Sequence, residues 1–289
     1  MNRVTGIILV VISAATFGSL AILGRYAYAA GLDIFTLLFL RFGLSALLMA
    51  ALLIFRGEAL PVGGTLVRLV GMGAIAYVGQ SFSFLTAIKF ASAGLVALLL
   101  YLYPTFVAIL SVIFLKTKLT RIKVIALVLA TLGAALTANP QGGQWTGILL
   151  AVFAAGIYAV YIVVGAGVMQ KVSAVQSSTV IFASAGAVYG VMAAIQGPHW
   201  PATSAGWLSV GGIVLLATVI PVVTFLAGLK HISPTDASML STFEPAVTVL
   251  LAALLFGEYL RPITLVGGGL ILAAVLLLTH SELRRASLR

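Results

Sequence analysis

Two charged residues lie deep within apolar runs that are long enough to cross a bilayer. Glu244 comes about nine residues into one run, about 14 Å from its start for a helix that rises about 1.5 Å per residue. Arg41 comes about seven residues into another, about 10 Å from its start. A charge at this depth is costly unless it is paired, hydrated or protonated, so both residues are candidates for a functional site.

Glu244 and Arg41 suit the two ends of a zwitterion, although other roles are open. The Glu244 carboxylate could contact a substrate ammonium, act as a protonatable coupling site, or be a structural group hydrogen-bonded to another helix. The planar guanidinium of Arg41 suits a substrate carboxylate. It could equally extend to the membrane interface or pair with Asp33, and the sequence also permits an Arg41–Glu244 pair.

Aromatic and uncharged polar residues cluster in a few of the apolar runs. Four of them recur at the spacing of one helical face, which predicts a cavity wall for flat, amphipathic solutes: Tyr77, Gln80, Ser81 and Phe84. The other cavity candidates are Tyr101, Tyr103, Tyr158, Tyr161, Thr224 and Phe225. A packing face or an interfacial tyrosine belt is the alternative. Prolines within these runs predict hinges or helix breaks at Pro104, Pro221 and Pro245.

The composition requires that a membrane positions these residues. Of the 289 residues, 62% are hydrophobic and 8% charged, with a mean hydropathy of +1.22, which excludes a soluble fold and disorder. Uncharged runs and turn signals predict ten helical spans: 4–26, 34–55, 69–88, 92–115, 122–138, 146–169, 175–196, 206–228, 235–256 and 262–280.

The charge distribution predicts the orientation of these spans. The net charge is +10, but the basic residues flank apolar runs and do not form a nucleic-acid-binding patch. With the N-terminus inside, twelve Lys and Arg lie on the cytoplasmic side and three on the other, so both termini are expected in the cytoplasm.

The chain repeats itself at an offset of 141 residues. This offset places Thr5-Gly6 on Thr146-Gly147, Lys89 on Lys230, Ser92 on Ser233 and Pro104 on Pro245. The predicted domains are therefore residues 1–141 and 142–289, each with five spans. Because five is odd, the second half enters the membrane from the opposite side. This inverted repeat is an architecture that many secondary transporters use for alternating access.

These features resemble the drug/metabolite transporter superfamily, and within it the EamA family of ten-helix exporters. Glu244-Pro245, the sequence Leu255-Phe-Gly-Glu258 and the glycine-rich last span resemble the end of an EamA repeat. The first repeat departs from this pattern, because it has Lys116-Thr117 where the second has Gly257-Glu258, so we assign Glu258 no essential role. The sequence is most similar to the YddG-type aromatic amino-acid exporters, which implies the bacterial inner membrane.

The sequence thus predicts an all-α polytopic membrane protein with two inverted five-helix repeats and the function of a secondary transporter. The resemblance implies export of aromatic and other neutral amino acids, and drugs, nucleobases or other small metabolites are the alternative. A channel and an integral-membrane enzyme are the rival classes. No motif for ATP hydrolysis or catalysis is present, and the three histidines are too scattered for a metal site, so we expect no cofactor and no metal. We expect a monomer, with a dimer as the alternative.

Overall fold

The computed structural model describes residues 3–87, 89–91, 93–138, 144–257 and 262–287, and the regular elements of that part of the chain are helices. In lipid a helix satisfies its backbone hydrogen bonds within its own segment. Ten segments follow the predicted spans: α1 (Arg3–Phe17 and Leu20–Ala29), α2 (Ile34–Phe55), α3 (Gly63–Ala87), α4 (Ala93–Leu100 and Tyr103–Leu115), α5 (Arg121–Ala138), α6 (Trp145–Val168), α7 (Ala174–Gln196), α8 (Ser204–Gly228), α9 (Pro234–Ser241 and Glu244–Phe256) and α10 (Pro262–Ser287).

The number and bounds of the spans agree closely with the sequence prediction. Among the described residues, nine segments are long and apolar enough to cross a membrane, and the tenth, α5, is an 18-residue helix that packs along α10. α3 begins at Gly63 and not near residue 69, so Arg68 lies within the helix. The predicted boundary between the two domains, 141/142, lies outside the described residues.

Helix packing relates the two halves by a pseudo-two-fold axis. α1 packs on α8 and α9, and its counterpart α6 packs on α3 and α4, while α2 packs on α7 and α5 on α10. A Cβ added to Gly6 would lie 3.3 Å from the Gly228 carbonyl oxygen, and one added to Gly147 would lie 3.0 Å from that of Ala87. Both glycines and both carbonyls are 141 residues apart, so the two helix crossings are equivalent.

Irregularities of the backbone also recur at this offset or within two residues of it. A π-helical turn interrupts α3 at Met72–Tyr77, and another interrupts α8 at Leu215–Val219. α4 is broken at residues 101–102, and α9 at 242–243. Both helices end with a left-handed residue, Lys116 (φ 52°) in the first half and Gly257 (φ 64°) in the second. The repeat therefore extends to local backbone geometry.

α1 departs from this symmetry. The sequence predicts one unbroken first span, but the helix is interrupted at Gly18-Ser19, whereas α6 is continuous. A Cβ on Gly18 would lie 2.8 Å from the Val247 side chain, and the Gly18 carbonyl accepts a hydrogen bond from the Thr248 hydroxyl at 3.0 Å. Gly/Ser pairs commonly mark helix kinks. The break lets the second half of α1 turn along α9.

Candidate functional site

A central cavity of about 570 Å³ lies between the two halves. It is enclosed by the second halves of α1, α3 and α9, the first halves of α2 and α4, and the middle of α6. The helices run alternately up and down, so these parts all lie toward the α1–α2 loop. The cavity brings together most of the predicted site residues: Arg41, Tyr77, Gln80, Ser81, Phe84, Tyr101, Tyr158, Tyr161 and Glu244.

Three predicted cavity residues do not line it, because they pack in the closed half of the bundle. Tyr103 is 3% exposed, and its hydroxyl donates to the Ser238 carbonyl at 3.3 Å. The Thr224 hydroxyl bonds to its own helix, and Phe225 belongs to the core at 4% exposure. At the repeat offset, Tyr103 is the counterpart of Glu244 and Phe225 that of Phe84. Sequence periodicity identified the right faces but could not show which half is closed.

The three candidate prolines each lie at a helix irregularity. Pro104 and Pro245 are the second residues of Tyr103–Leu115 and Glu244–Phe256, directly after the breaks in α4 and α9. Pro221 is the second residue of the helical piece that follows the π-helical turn of α8. Proline fits the start of a helix because its missing N–H would have no partner there.

Arg41 is buried and held by the π-helical turn of α8. The residue is only 6% exposed. Its Nε donates a hydrogen bond to the Thr218 hydroxyl at 2.8 Å, and its Nη2 donates one to the Ala217 carbonyl at 3.1 Å. A π-helical turn frees such a carbonyl from the usual helical pairing, and such turns are frequent at functional sites. Two of the five guanidinium N–H donors are thus used, while Arg41 also lines the cavity.

The contacts of Arg41 bear on two of the alternatives that the sequence left open, the membrane interface and Asp33. The side chain neither extends to the interface nor pairs with Asp33, which caps α2 instead. Within the described part of the chain, no ion pair joins Arg41 to Glu244. Arg41 is therefore a fixed positive group in the cavity wall, with donors left for an anionic group.

Glu244 forms the opposite charge of the cavity. It is half-buried at the break of α9, and its carboxylate has no hydrogen-bond or ion-pair partner among the described residues. The reading of Glu244 as a structural carboxylate bonded to another helix therefore has no contact to support it. An intramembrane carboxylate that faces a cavity can be hydrated there and can contact a cation.

The walls between these two charges are rings that brace one another. Tyr77 contacts Tyr161 edge-on at 5.7 Å between centroids, and Tyr158 stacks on Tyr161 at 6.0 Å. Behind them Phe42 lies 5.0 Å from Tyr77. Such offset and edge contacts are favourable arrangements for aromatic rings. These ring contacts fix the positions of the tyrosine rings that line the cavity.

The sequence analysis missed the contribution of α1. Its second half lines the cavity, and so do Thr248 on α9 and Arg25 near the end of α1. The missed α1 residues also include Phe17, Leu20, Ala21, Gly24 and Tyr28. The available signal was Gly18-Ser19, because the break there directs this half of α1 toward the cavity.

Beside the cavity, Asp33 fixes the start of α2. Its Oδ1 accepts hydrogen bonds from the backbone N–H groups of Phe35 at 2.9 Å and Thr36 at 3.0 Å, and its Oδ2 accepts one from the Thr36 hydroxyl. Partial burial raises the pKa of this carboxyl, but the hydrogen bonds from Thr36, His199 and Phe35 outweigh it and lower the pKa below its usual value. These hydrogen bonds fix the conformation of the loop that borders the cavity.

The described residues contain no group of three or more His, Cys, Asp or Glu side chains that could hold a metal. The cavity lining instead has two arginines (Arg25 and Arg41), the Glu244 carboxylate, hydroxyls, an amide and aromatic rings. This set of groups suits non-covalent binding of a small amphipathic solute.

Known proteins with similar sequences are transporters. The sequence model of the EamA-like transporter family matches residues 4–139 and again 145–280. The chain is 30% identical over 196 residues to an uncharacterized transporter of Archaeoglobus fulgidus, covering 68% of this chain and 70% of the relative. It is 28% identical over 252 residues to the uncharacterized inner membrane transporter YedA of Escherichia coli (strain K12), covering 83% and 79%.

A third relative and a solved structure extend the likeness to nearly the whole chain. The uncharacterized transporter YcbK of Bacillus subtilis (strain 168) is 24% identical over 284 residues, covering 91% of this chain and 89% of the relative. One crystal structure superposes with a TM-score of 0.86 at 19% identity, over 98% of this chain and 99% of the other, which shows likeness of fold. This chain, which matches the family model twice, belongs to the EamA-like transporter family and is a multi-pass membrane protein.

Proposed function

We propose that this chain is a secondary transporter that exports amino acids, above all aromatic and other neutral ones, by alternating access. One observation carries the proposal: a single cavity with aromatic walls contains both Arg41 and Glu244. The guanidinium matches a carboxylate, the carboxylate of Glu244 matches an ammonium, and the rings match an apolar side chain. A cavity of about 570 Å³ lies within the range of small-molecule sites.

Transport by this chain is proposed to use the two halves as two gates. Inverted repeats around a site near the bilayer midplane can exchange conformations, which opens the site to one side and then to the other. The helix breaks beside Pro104 and Pro245 lie at equivalent places, where each half can bend. The excess of basic residues on the side of Arg3 supports cytoplasmic termini, so the cavity described here opens away from the cytoplasm.

The second candidate function is export of drugs, nucleobases or other flat metabolites. The tyrosines around the cavity would stack on any planar solute. An amino acid differs from these solutes because it engages both charged groups at once. The bacterial inner membrane is the proposed location, and a monomer the proposed state.

Reconstitution into liposomes tests the substrate. We expect labelled phenylalanine or tryptophan to enter protein-containing vesicles faster than protein-free ones, with saturation and with exchange against unlabelled amino acid. Phenethylamine, which lacks the carboxylate, and phenylpropionate, which lacks the ammonium, should compete poorly. If no amino acid moves faster than in empty vesicles while a nucleobase or drug does, the substrate assignment is wrong. Flux that neither saturates nor exchanges would indicate a channel.

Glu244→Gln tests the ammonium contact and coupling in the same vesicles. We expect a higher half-saturation concentration for the amino acid and a changed response to an imposed pH gradient. Glu58→Gln is the matched control, because Glu58 lies in the α2–α3 loop and does not line the cavity. Wild-type rate and pH response in Glu244→Gln would remove both proposed roles.

A further inference from the structure

The end of the bundle opposite the cavity holds a cluster of three charges from three helices. Arg3 on α1 contacts Asp236 on α9 at 3.0 Å between Nη2 and Oδ2, and Lys123 on α5 contacts the same carboxylate at 2.5 Å between Nζ and Oδ1. The side chain of Asp236 is 1% exposed and that of Lys123 is 9% exposed. One buried carboxylate thus joins two cations, and we call these three residues the charge triad.

The charge triad connects the ends of two helices whose other halves form the cavity. α1 and α9 both begin at the triad, and they line the cavity only from Phe17 and Glu244 onward, at and beyond their breaks. Asp236 precedes Glu244 by eight residues, about 12 Å along a helix. Val10, Leu240 and Tyr103 are buried members of one hydrophobic core in this half of the bundle. The triad therefore lies at the outer edge of the closed half.

The repeat counterparts of the charge triad are uncharged residues. At the offset of 141 residues, the counterparts of Arg3, Asp236 and Lys123 are Gln144, Leu95 and Thr264. The equivalent position at the other end thus has no charged residue. The two repeat-related ends therefore differ at these three positions, which carry charges at the triad end only.

We propose that the charge triad is a one-sided ionic gate that sets the resting conformation, closed at the Arg3 end and open at the cavity end. The inference rests on the alternating access of the proposed function. In the closed state the Asp236 carboxylate compensates two cations, and its removal there would leave two positive charges facing each other, which is strongly unfavourable. A contact made in one state only shifts the populations by its differential free energy. Opening of the triad end would expose Val222 and Phe225, the counterparts of Ser81 and Phe84.

The natural absence of cysteine allows a direct test of which end is open. Ser81→Cys places a thiol in the open cavity, and Val222→Cys places one at the repeat-equivalent position, which is 3% exposed. Each variant is reconstituted into lipid nanodiscs, where a hydrophilic maleimide reaches both faces, and the labelling rate is measured. We expect rapid labelling of S81C and slow labelling of V222C.

Asp236→Asn, combined with Ser81→Cys or with Val222→Cys, should shift the protein away from the conformation that is closed at the Arg3 end. We expect the V222C labelling rate to rise about tenfold and the S81C rate to fall, because the carboxylate shared by both cations is lost. Lys123→Gln leaves the Arg3–Asp236 contact in place, so it should change both labelling rates in the same directions but by smaller factors. This variant replaces Asp236→Asn in the test if Asp236→Asn does not fold. Lys118→Gln, which removes an exposed cation of the α4–α5 loop on the same side and outside the triad, should change neither rate.

The outcomes separate this proposal from the proposed substrate. Unchanged labelling of both reporters in folded Asp236→Asn or Lys123→Gln protein overturns the ionic gate. An equal rise at both reporters indicates general loosening and also overturns it. Labelling requires no transported solute, so a wrong substrate assignment would leave this result intact. Opposite shifts at the two reporters support the gate whatever the solute.

Discussion

Thr218→Val tests whether Arg41 must be held in place to bind the substrate carboxylate. Thr218 is fully buried, and its hydroxyl accepts the hydrogen bond from Arg41 Nε at 2.8 Å. Valine keeps the shape of the side chain but cannot accept a hydrogen bond. A hydrogen bond to a charged group contributes about 1.5–3 kcal/mol. The Ala217 carbonyl contact at 3.1 Å remains, so we expect a loss near the lower limit.

This loss predicts a change of about tenfold, since about 1.4 kcal/mol corresponds to a factor of ten in affinity. The half-saturation concentration for a transported amino acid should rise by that factor in proteoliposomes. Transport or competition by the corresponding amine, which lacks the carboxylate, should change little. This comparison separates an effect on Arg41 from general damage to the protein.

Thr224→Val is the matched control for this prediction. It makes the same substitution on the same helix, and the Thr224 hydroxyl bonds only within α8, to the carbonyls of Ile220 and Pro221. We expect wild-type half-saturation for this variant. If Thr218→Val leaves the amino-acid value unchanged, or raises the amine value equally, Arg41 does not hold the carboxylate in the way that we propose.

Three further predictions concern stability. Lys116→Gly should raise the unfolding free energy in detergent by about 0.5 kcal/mol. Glycine removes the steric strain of the left-handed backbone at this position (φ 52°), and this gain exceeds the cost of the greater conformational freedom of the unfolded chain. Lys118→Gly, the control, should not stabilise the protein. Gly147→Val should lower it by about 1–3 kcal/mol, since its Cβ would lie 2.8 Å from the nearest side-chain atom, whereas Gly156→Ala has open space and should change it little. The lowered pKa of Asp33 stabilises the fold above the carboxyl's unfolded-state pKa, and this stability is lost as the pH falls through the folded-state pKa. Asp33→Asn should therefore be less stable near neutral pH and lose less stability on acidification; an equal loss in both proteins would contradict this assignment.

Much of the candidate site could be predicted from sequence because a membrane restricts what a residue can do. Glu244 and Arg41 attract attention by depth alone, since charge is rare in lipid. The face formed by Tyr77, Gln80 and Ser81 follows from helical period, and all three line the cavity. Tyr103 satisfied the same criteria and yet packs behind the wall, because residue type and periodicity do not distinguish an open half from a closed one.

The sequence by itself determined the helical class, the positions of the spans and the two-fold repeat. Their cause is local: the cost of exposing backbone polar groups to lipid acts on each segment separately, and a gene repeat is visible without a fold. Only the tertiary structure decided that α1 breaks at Gly18-Ser19, that a π-helical turn of α8 holds Arg41, and that Asp236 joins α1 to α5. These contacts link residues more than a hundred positions apart. They are buried polar contacts between distant segments, whose partners no local pattern identifies.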